Sequence, residues 1–302
     1  EFRRVLFRSD LKLITTISKR ILEWILFSNL FIAACAAALV WESEILLGIS
    51  AGIDTVSLMI FFSTLFLYGT HRMLAIRRIP DENKTRMLLW SKKYQFALFI
   101  LALLGAGMVA SFVFNLTFAA LLLMIPMGIV SVLYELPVIR TPNGYKRLRD
   151  IGMLKVFWLT IVWSAVTVLL PAFQYGEQVK SMEVISVFLM RCCLIFCLGL
   201  SFDIRDMQYD EAGGLKTIPL IYGRSKTIRI IIYILTAYFL IACIQFATFQ
   251  HYDFGKLSCA AITALLGYRL IVAASVVDEW YYYPLFVDGI MLLNFLLLQM
   301  DR

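Results

Sequence analysis

The chain of 302 residues is 61% hydrophobic and only 16% charged, with a mean hydropathy of +0.81; ordinary soluble domains are roughly 45–50% apolar and about 25% charged, so a soluble globular domain is excluded. A net charge of +7 on so apolar a chain reflects basic loops at one membrane face rather than a nucleic-acid partner. Cys35, Cys192, Cys193, Cys197, Cys243 and Cys259 all fall in apolar runs without a CxxC pair, which excludes a disulfide framework and leaves them as small packing residues.

The first nine residues, EFRRVLFRS, match a translated sequencing-adapter string and are set aside from fold reasoning, leaving residues 10–302 as a single transmembrane domain. Nine apolar segments follow, each near the roughly 20 residues that cross a bilayer. The first, 21–40, carries Glu23 and Asn29 early, polar residues that either bind an acceptor or bond between helices. The second, 48–70, runs into a basic stretch holding Arg72, Arg77, Arg78, Lys84, Arg86, Lys92 and Lys93. Segments 94–112 and 114–134 are joined by a tight connection. Tyr134, Pro137 and Arg140 then precede the turn signal TPNGY, and Lys146, Arg147, Arg149, Asp150 and Lys155 follow. Of these, Lys146, Arg147, Arg149 and Asp150 either line a cavity mouth or belong to a solvated basic loop. Segment 153–170 ends in a loop whose one base is Lys180. Segments 184–202, 228–247, 257–276 and 284–300 complete the series. The cluster WYYYP at 280–284 reads as an interfacial aromatic belt, and Asp288 and Asn294 are expected to face the bundle.

Lys and Arg favour the cytoplasmic side. The N-terminus and the ends of segments 2, 4, 6 and 8 are therefore expected there, and the C-terminus outside. The expected fold class is all-α, a multi-pass membrane bundle of about nine helices, with the bacterial inner membrane as its location.

Charge gathers once more, at SFDIRDMQYDEAGGLKTIP, residues 201–219. If the sixth helix continues past Leu200, Asp203, Asp206 and Asp210 share one face at i, i+3 and i+7. Adjacent carboxylates repel unless cations lie between them. Mg²⁺ suits such a site, because it joins one or two carboxylates to substrate phosphates. Arg205 and Lys216 supply further phosphate contacts, a fork and a point charge. Gly213 and Gly214 end the helix. A charged cap where a helix leaves the bilayer is the alternative reading.

DIRDMQYDEAGGLKTIPLIYG resembles the second aspartate-rich motif of the UbiA superfamily of intramembrane prenyltransferases. Asp206 and Asp210 match its DxxxD, Asp203 the preceding acid, and Gly214, Lys216, Thr217 and Pro219 its tail. The resemblance implies a UbiA-like bundle of nine helices around a cavity open to lipid. It implies transfer of a prenyl group from an isoprenyl diphosphate to a lipophilic acceptor, aromatic or a quinone precursor. Asp203, Asp206 and Asp210 would be the catalytic residues and hold Mg²⁺, which draws the diphosphate away; Arg205 and Lys216 would bind substrate.

The family's first motif, close to NDxxDxxxD at the end of the second helix, is not matched. No Asp or Glu lies between Asp54 and Asp81, and Tyr68, His71 and Arg72 stand in the place of acids. Three readings stay open. Tyr68, His71 and Arg72 bind the diphosphate directly; or His71 and Arg72 simply start a cytoplasmic loop; or the chain has lost catalysis and binds lipid or quinone without turnover. A transporter with the aspartates as a cation site is a further class. It calls for Gly or Pro breaks in matching halves, and Pro126 has no clear counterpart.

Overall fold

The computed structural model describes residues 18–50, 52–141, 144–176, 181–249, 253–274, 276–277 and 279–300; the adapter-like residues 1–9 lie outside them. Apart from one short hairpin, the described chain is helical. Its helices are α1 (Ser18–Phe27), α2 (Leu30–Leu46), α3 (Thr55–Arg78), α4 (Arg86–Lys93), α5 (Gln95–Val113), α6 (Phe118–Glu135), α7 (Leu154–Tyr175), α8 (Ser181–Arg205), α9 (Met207–Ala212), α10 (Ile218–Tyr222), α11 (Arg224–Phe249), α12 (Phe254–Ala274) and α13 (Tyr283–Met300). The hairpin pairs β1 (Ile139–Thr141) antiparallel with β2 (Gly144–Lys146).

Among the described residues, α3, α5, α7, α8, α11, α12 and α13 are long and apolar enough to cross a membrane, the bent pair α1–α2 makes an eighth candidate, and α6 is a shorter apolar helix. The chain is an integral membrane protein with multiple helical spans. Its outward faces carry exposed Leu103, Leu122, Leu240 and Leu265. Such a surface is an aggregation hazard in water and an ordinary one against lipid tails, which are as apolar as leucine.

Local chemistry sets where the helices begin. Asp54 and Ser57 form a reciprocal capping box at the start of α3, with Ser57 N donating to Asp54 Oδ1 at 2.8 Å and Asp54 N to Ser57 Oγ at 3.1 Å. This satisfies backbone donors that the first turn leaves orphaned. Thr117 opens α6 and is held from α7, its N–H donating to Gln174 Oε1 at 2.8 Å and its hydroxyl to the Phe173 carbonyl at 3.1 Å. α2 packs on α3, α13 and the middle of α7; α7 packs on α8, α8 on α11, α11 on α12 and α12 on α13, which closes a ring, while α5 lies outside against α3. Gly105 permits that last contact, since a Cβ there would stand 2.9 Å from the Phe62 carbonyl oxygen. Small residues set how closely membrane helices approach.

Two segments differ from the sequence expectation. The first, 21–40, is broken by a 60° bend between α1 and α2, at Ser28 and Asn29. Asn29 takes the left-handed conformation at φ 70°, which Asn tolerates better than most residues. The Arg72 guanidinium donates to the Phe27 carbonyl at this bend, supplying a partner that the broken helix withdraws. The second segment starts later and ends later than 48–70. Tyr68, His71 and Arg72 lie inside α3, so His71 and Arg72 do not start a loop.

A polar knot lies deep in the ring. Arg191 of α8 meets Glu42 of α2 at 3.1 Å and donates to Ser43 Oγ at 3.0 Å. Arg191 is 2% exposed and Glu42 3%. Asn294 of α13 lies beside the Glu42 carboxylate and accepts from Thr263 of α12 at 2.8 Å. Four helices thus share one buried network, the arrangement expected of ionisable residues inside a bilayer.

Candidate functional site

One end of the bundle gathers the charged connections. Arg86, after α3, lies 4.7 Å over the Trp280 ring before α13 and pairs with Glu23 of α1 at 2.7 Å. Arg205, at the end of α8, lies 5.0 Å over the Tyr283 ring at the start of α13. The connections after α3, α8 and α12 therefore share a face. The segment after α6 joins them, because a cavity of about 400 Å³ is lined both by Lys146, Arg147, Arg149, Asp150 and Lys155 and by Tyr209, Asp210, Gly213 and Leu215.

The acidic segment is built by a helix that breaks and resumes. α8 ends at Arg205, Asp206 takes φ −87° and ψ 5°, and α9 starts at Met207. Two backbone bonds carry the helical ladder across the break, Asp206 N to the Phe202 carbonyl at 2.9 Å and Asp210 N to the Asp206 carbonyl at 2.8 Å. Asp203 and Asp210, seven residues apart, still face the same way. Both meet Lys155 of α7, whose Nζ lies 2.9 Å from Asp203 Oδ1 and 3.3 Å from Asp210 Oδ2. Asp206 does not join them. It turns to Arg205, which binds it through Nε at 2.7 Å and Nη2 at 3.1 Å. Arg205 in turn stacks on Phe202 and Tyr283 at 4.7 and 5.0 Å. Lys155 therefore joins only two of the three carboxylates, the third being taken by its neighbour Arg205.

The remaining expected residues lie apart from this cavity. Lys216 is exposed, and its backbone packs on the turn before α7. Gly152 there has φ +33°, and a Cβ would stand 2.7 Å from the Lys216 carbonyl oxygen. Tyr68 faces Trp163 of α7 with ring centres 6.5 Å apart and lies 6.2 Å from His71. Arg72 is engaged at the α1–α2 bend.

Two pairings at this cavity are not legible in the sequence. By sequence Lys155 belongs to the basic loop, yet it stands one residue inside an apolar helix; a lone cation there is the signal, since such a residue needs a buried partner. Asp150 pairs with Arg147, which donates from Nη2 at 2.8 Å, from Nε at 3.0 Å and from its backbone N–H at 3.0 Å. Partial burial opposes ionisation of Asp150, but the Arg147 bonds prevail and hold the carboxyl below the usual carboxylate range. Lys146, Arg147, Arg149 and Lys155 together with Asp150, Asp203 and Asp210 leave one net positive charge, four cations less three carboxylates. The cavity thus suits an anion with several oxygens.

Residues 91–283, more than half of the chain, match the UbiA prenyltransferase family model. The chain belongs to the UbiA prenyltransferase family. Solved UbiA-type structures share its fold at low identity. A homologue from Aeropyrum pernix K1 aligns with a TM-score of 0.59 at 14% identity, over 87% of this chain and 96% of its own. A homologue from Archaeoglobus fulgidus bound to GPP and Mg²⁺ aligns at 0.58 and 12%, over 91% and 99%. A structure described as that of digeranylgeranylglyceryl phosphate synthase aligns at 0.56 and 15%, over 94% and 98%. No curated protein matches the chain by sequence.

The UbiA resemblance implies Mg²⁺, and the donor set bears on this. Among the described residues no three His, Cys, Asp or Glu side chains converge as metal ligands. Asp203 and Asp210 would suit one hard cation, but the Lys155 ammonium stands between them, and Asp206 is held by Arg205. As these side chains stand, the site does not fit Mg²⁺.

Proposed function

We propose that this chain is a membrane prenyltransferase that moves a prenyl group from an isoprenyl diphosphate to a lipophilic acceptor, an aromatic ring or quinone precursor. The observation that carries the reading is the basic cavity between the α6–α7 connection and the α8–α9 break, at the charged end of a UbiA-type bundle. The A. fulgidus homologue solved with GPP supports a prenyl diphosphate as the ligand. The basic end is the cytoplasmic one under the positive-inside rule.

In this reading Lys146, Arg147 and Arg149 hold the diphosphate, while the prenyl chain runs into the apolar ring. The allylic C–O bond breaks and its electron pair leaves with the diphosphate. Fixed cations stabilise the charge that develops there, in a site partly shielded from water. The acceptor's electrons then form the new C–C bond, and the acceptor loses a proton. Because the side chains do not fit Mg²⁺, the leaving charge is met in this reading by the fixed cations of the chain.

The test is incubation of the reconstituted protein with labelled geranyl and farnesyl diphosphates and a panel of aromatic and quinone-precursor acceptors. Prenylated product, lost in Arg149→Ala, is expected. A second reading, a lipid- or quinone-binding protein without turnover, is favoured by Asp206 being committed to Arg205. Binding without product for every acceptor would select it.

A further inference from the structure

Lys155 is the second residue of α7, and its side chain is 14% exposed. The carboxylates it meets belong to the break between α8 and α9; the Asp203 side chain is 3% exposed and that of Asp210 11%. Adjacent buried carboxylates on one helix face repel strongly unless a cation lies between them. Here that cation is covalently part of the chain. Three residues earlier the backbone at Gly152 comes close to the Lys216 carbonyl, where an added Cβ would stand 2.7 Å from its oxygen. The turn before α7 and the segment after α9 thus lie in close contact. Mg²⁺ needs oxygens at about 2.0–2.1 Å in near-octahedral array. An ammonium 2.9 and 3.3 Å from the same two carboxylates fills that space and would face an entering dication with like charge.

We infer that Lys155 is a built-in counter-ion standing where a divalent cation would otherwise join Asp203 and Asp210, so that this pair forms and the cavity takes its ligand without metal. The aspartates serve to position Lys155 at the cavity wall, with Nζ available to an anion. The inference rests on the diphosphate reading only in the second of its two tests.

The first test needs no substrate. Mn²⁺ is titrated into the detergent-solubilised full-length protein and followed by electron paramagnetic resonance. The wild type is expected to bind no Mn²⁺ in a manner that Asp203→Asn or Asp210→Asn removes. Lys155→Met is expected to gain a Mn²⁺ site, which Lys155→Met combined with Asp203→Asn loses again. A wild-type Mn²⁺ site abolished by Asp203→Asn would overturn the inference, as would a folded Lys155→Met that gains none. If Lys155→Met fails to fold, the wild-type and aspartate titrations still decide. The second test compares binding of unreactive geranyl thiolodiphosphate in EDTA and in Mg²⁺. Affinities within about threefold are expected, a difference of under about 0.7 kcal/mol. A fall of tenfold or more in EDTA would overturn the inference. Absence of binding in both conditions would instead refute the diphosphate reading and leave the Mn²⁺ result standing.

Discussion

Replacing Arg191 by Met removes the cation of the buried knot and leaves the Glu42 carboxylate among apolar helices. Both side chains are nearly inaccessible, at 1% and 4% exposed, and their charged atoms lie 3.1 Å apart. Breaking such a pair from one side costs about 3–5 kcal/mol, because the surviving charge stays buried. Neutral hydrogen bonds between membrane helices average only about 0.6 kcal/mol. The size of the loss therefore distinguishes an ion pair from a mere polar contact. Against a typical total of about 5–15 kcal/mol, Arg191→Met is expected to take roughly a fifth or more. Glu42→Gln combined with Arg191→Met removes both charges and should recover most of the loss. The assay is equilibrium unfolding in mixed micelles at rising SDS fraction, followed by tryptophan fluorescence. Arg191 lies twelve residues before Asp203, about 18 Å along α8 at 1.5 Å per residue, so diphosphate binding by the folded fraction should be unchanged. An Arg191→Met loss under about 1 kcal/mol, or a double variant no better than the single, would refute the reasoning.

Gly105→Ala should destabilise by about 1–3 kcal/mol, because the added methyl meets the Phe62 backbone at 2.9 Å; a lowered melting temperature in detergent checks this. Arg72→Ala should lower stability by about 1.5–3 kcal/mol through the lost bond to the Phe27 carbonyl; a tenfold fall in diphosphate affinity at unchanged stability would instead make Arg72 a ligand. Asp150 has a folded pKa depressed by Arg147 despite its partial burial, so its contribution is full above the ordinary carboxylate pKa and is lost as pH falls through the depressed value. Asp150→Asn should accordingly flatten the acid limb of a stability–pH curve.

The helical spans were legible because roughly 20-residue apolar runs admit few other folds in a bilayer. The Ser28–Asn29 bend was not, since Asn within an apolar run tells nothing of its backbone angle. The end of α3 is not legible because His71 and Arg72 also read as a loop signal, whereas an arginine inside a helix is tolerated once a carbonyl such as that of Phe27 is within reach. At the site, i to i+7 spacing brought Asp203 and Asp210 together as helical periodicity requires. The i+3 residue, Asp206, is instead taken by its sequence neighbour Arg205, a partner that spacing alone does not name. Lys155 was hidden by distance in sequence: its partners lie 48 and 55 residues further along the chain (203 − 155 and 210 − 155), and nothing local to MLKVFW names them.

The most direct test of the account is equilibrium binding of labelled geranyl diphosphate to the protein in liposomes, with Arg149→Ala and Lys146→Ala alongside the wild type. Loss of one charged phosphate contact costs about 1.5–3 kcal/mol, roughly ten- to a hundred-fold in affinity. The account predicts saturable binding, displaced by inorganic pyrophosphate and weakened by that factor in each variant. Absence of saturable binding, or binding indifferent to both substitutions and to pyrophosphate, would contradict it.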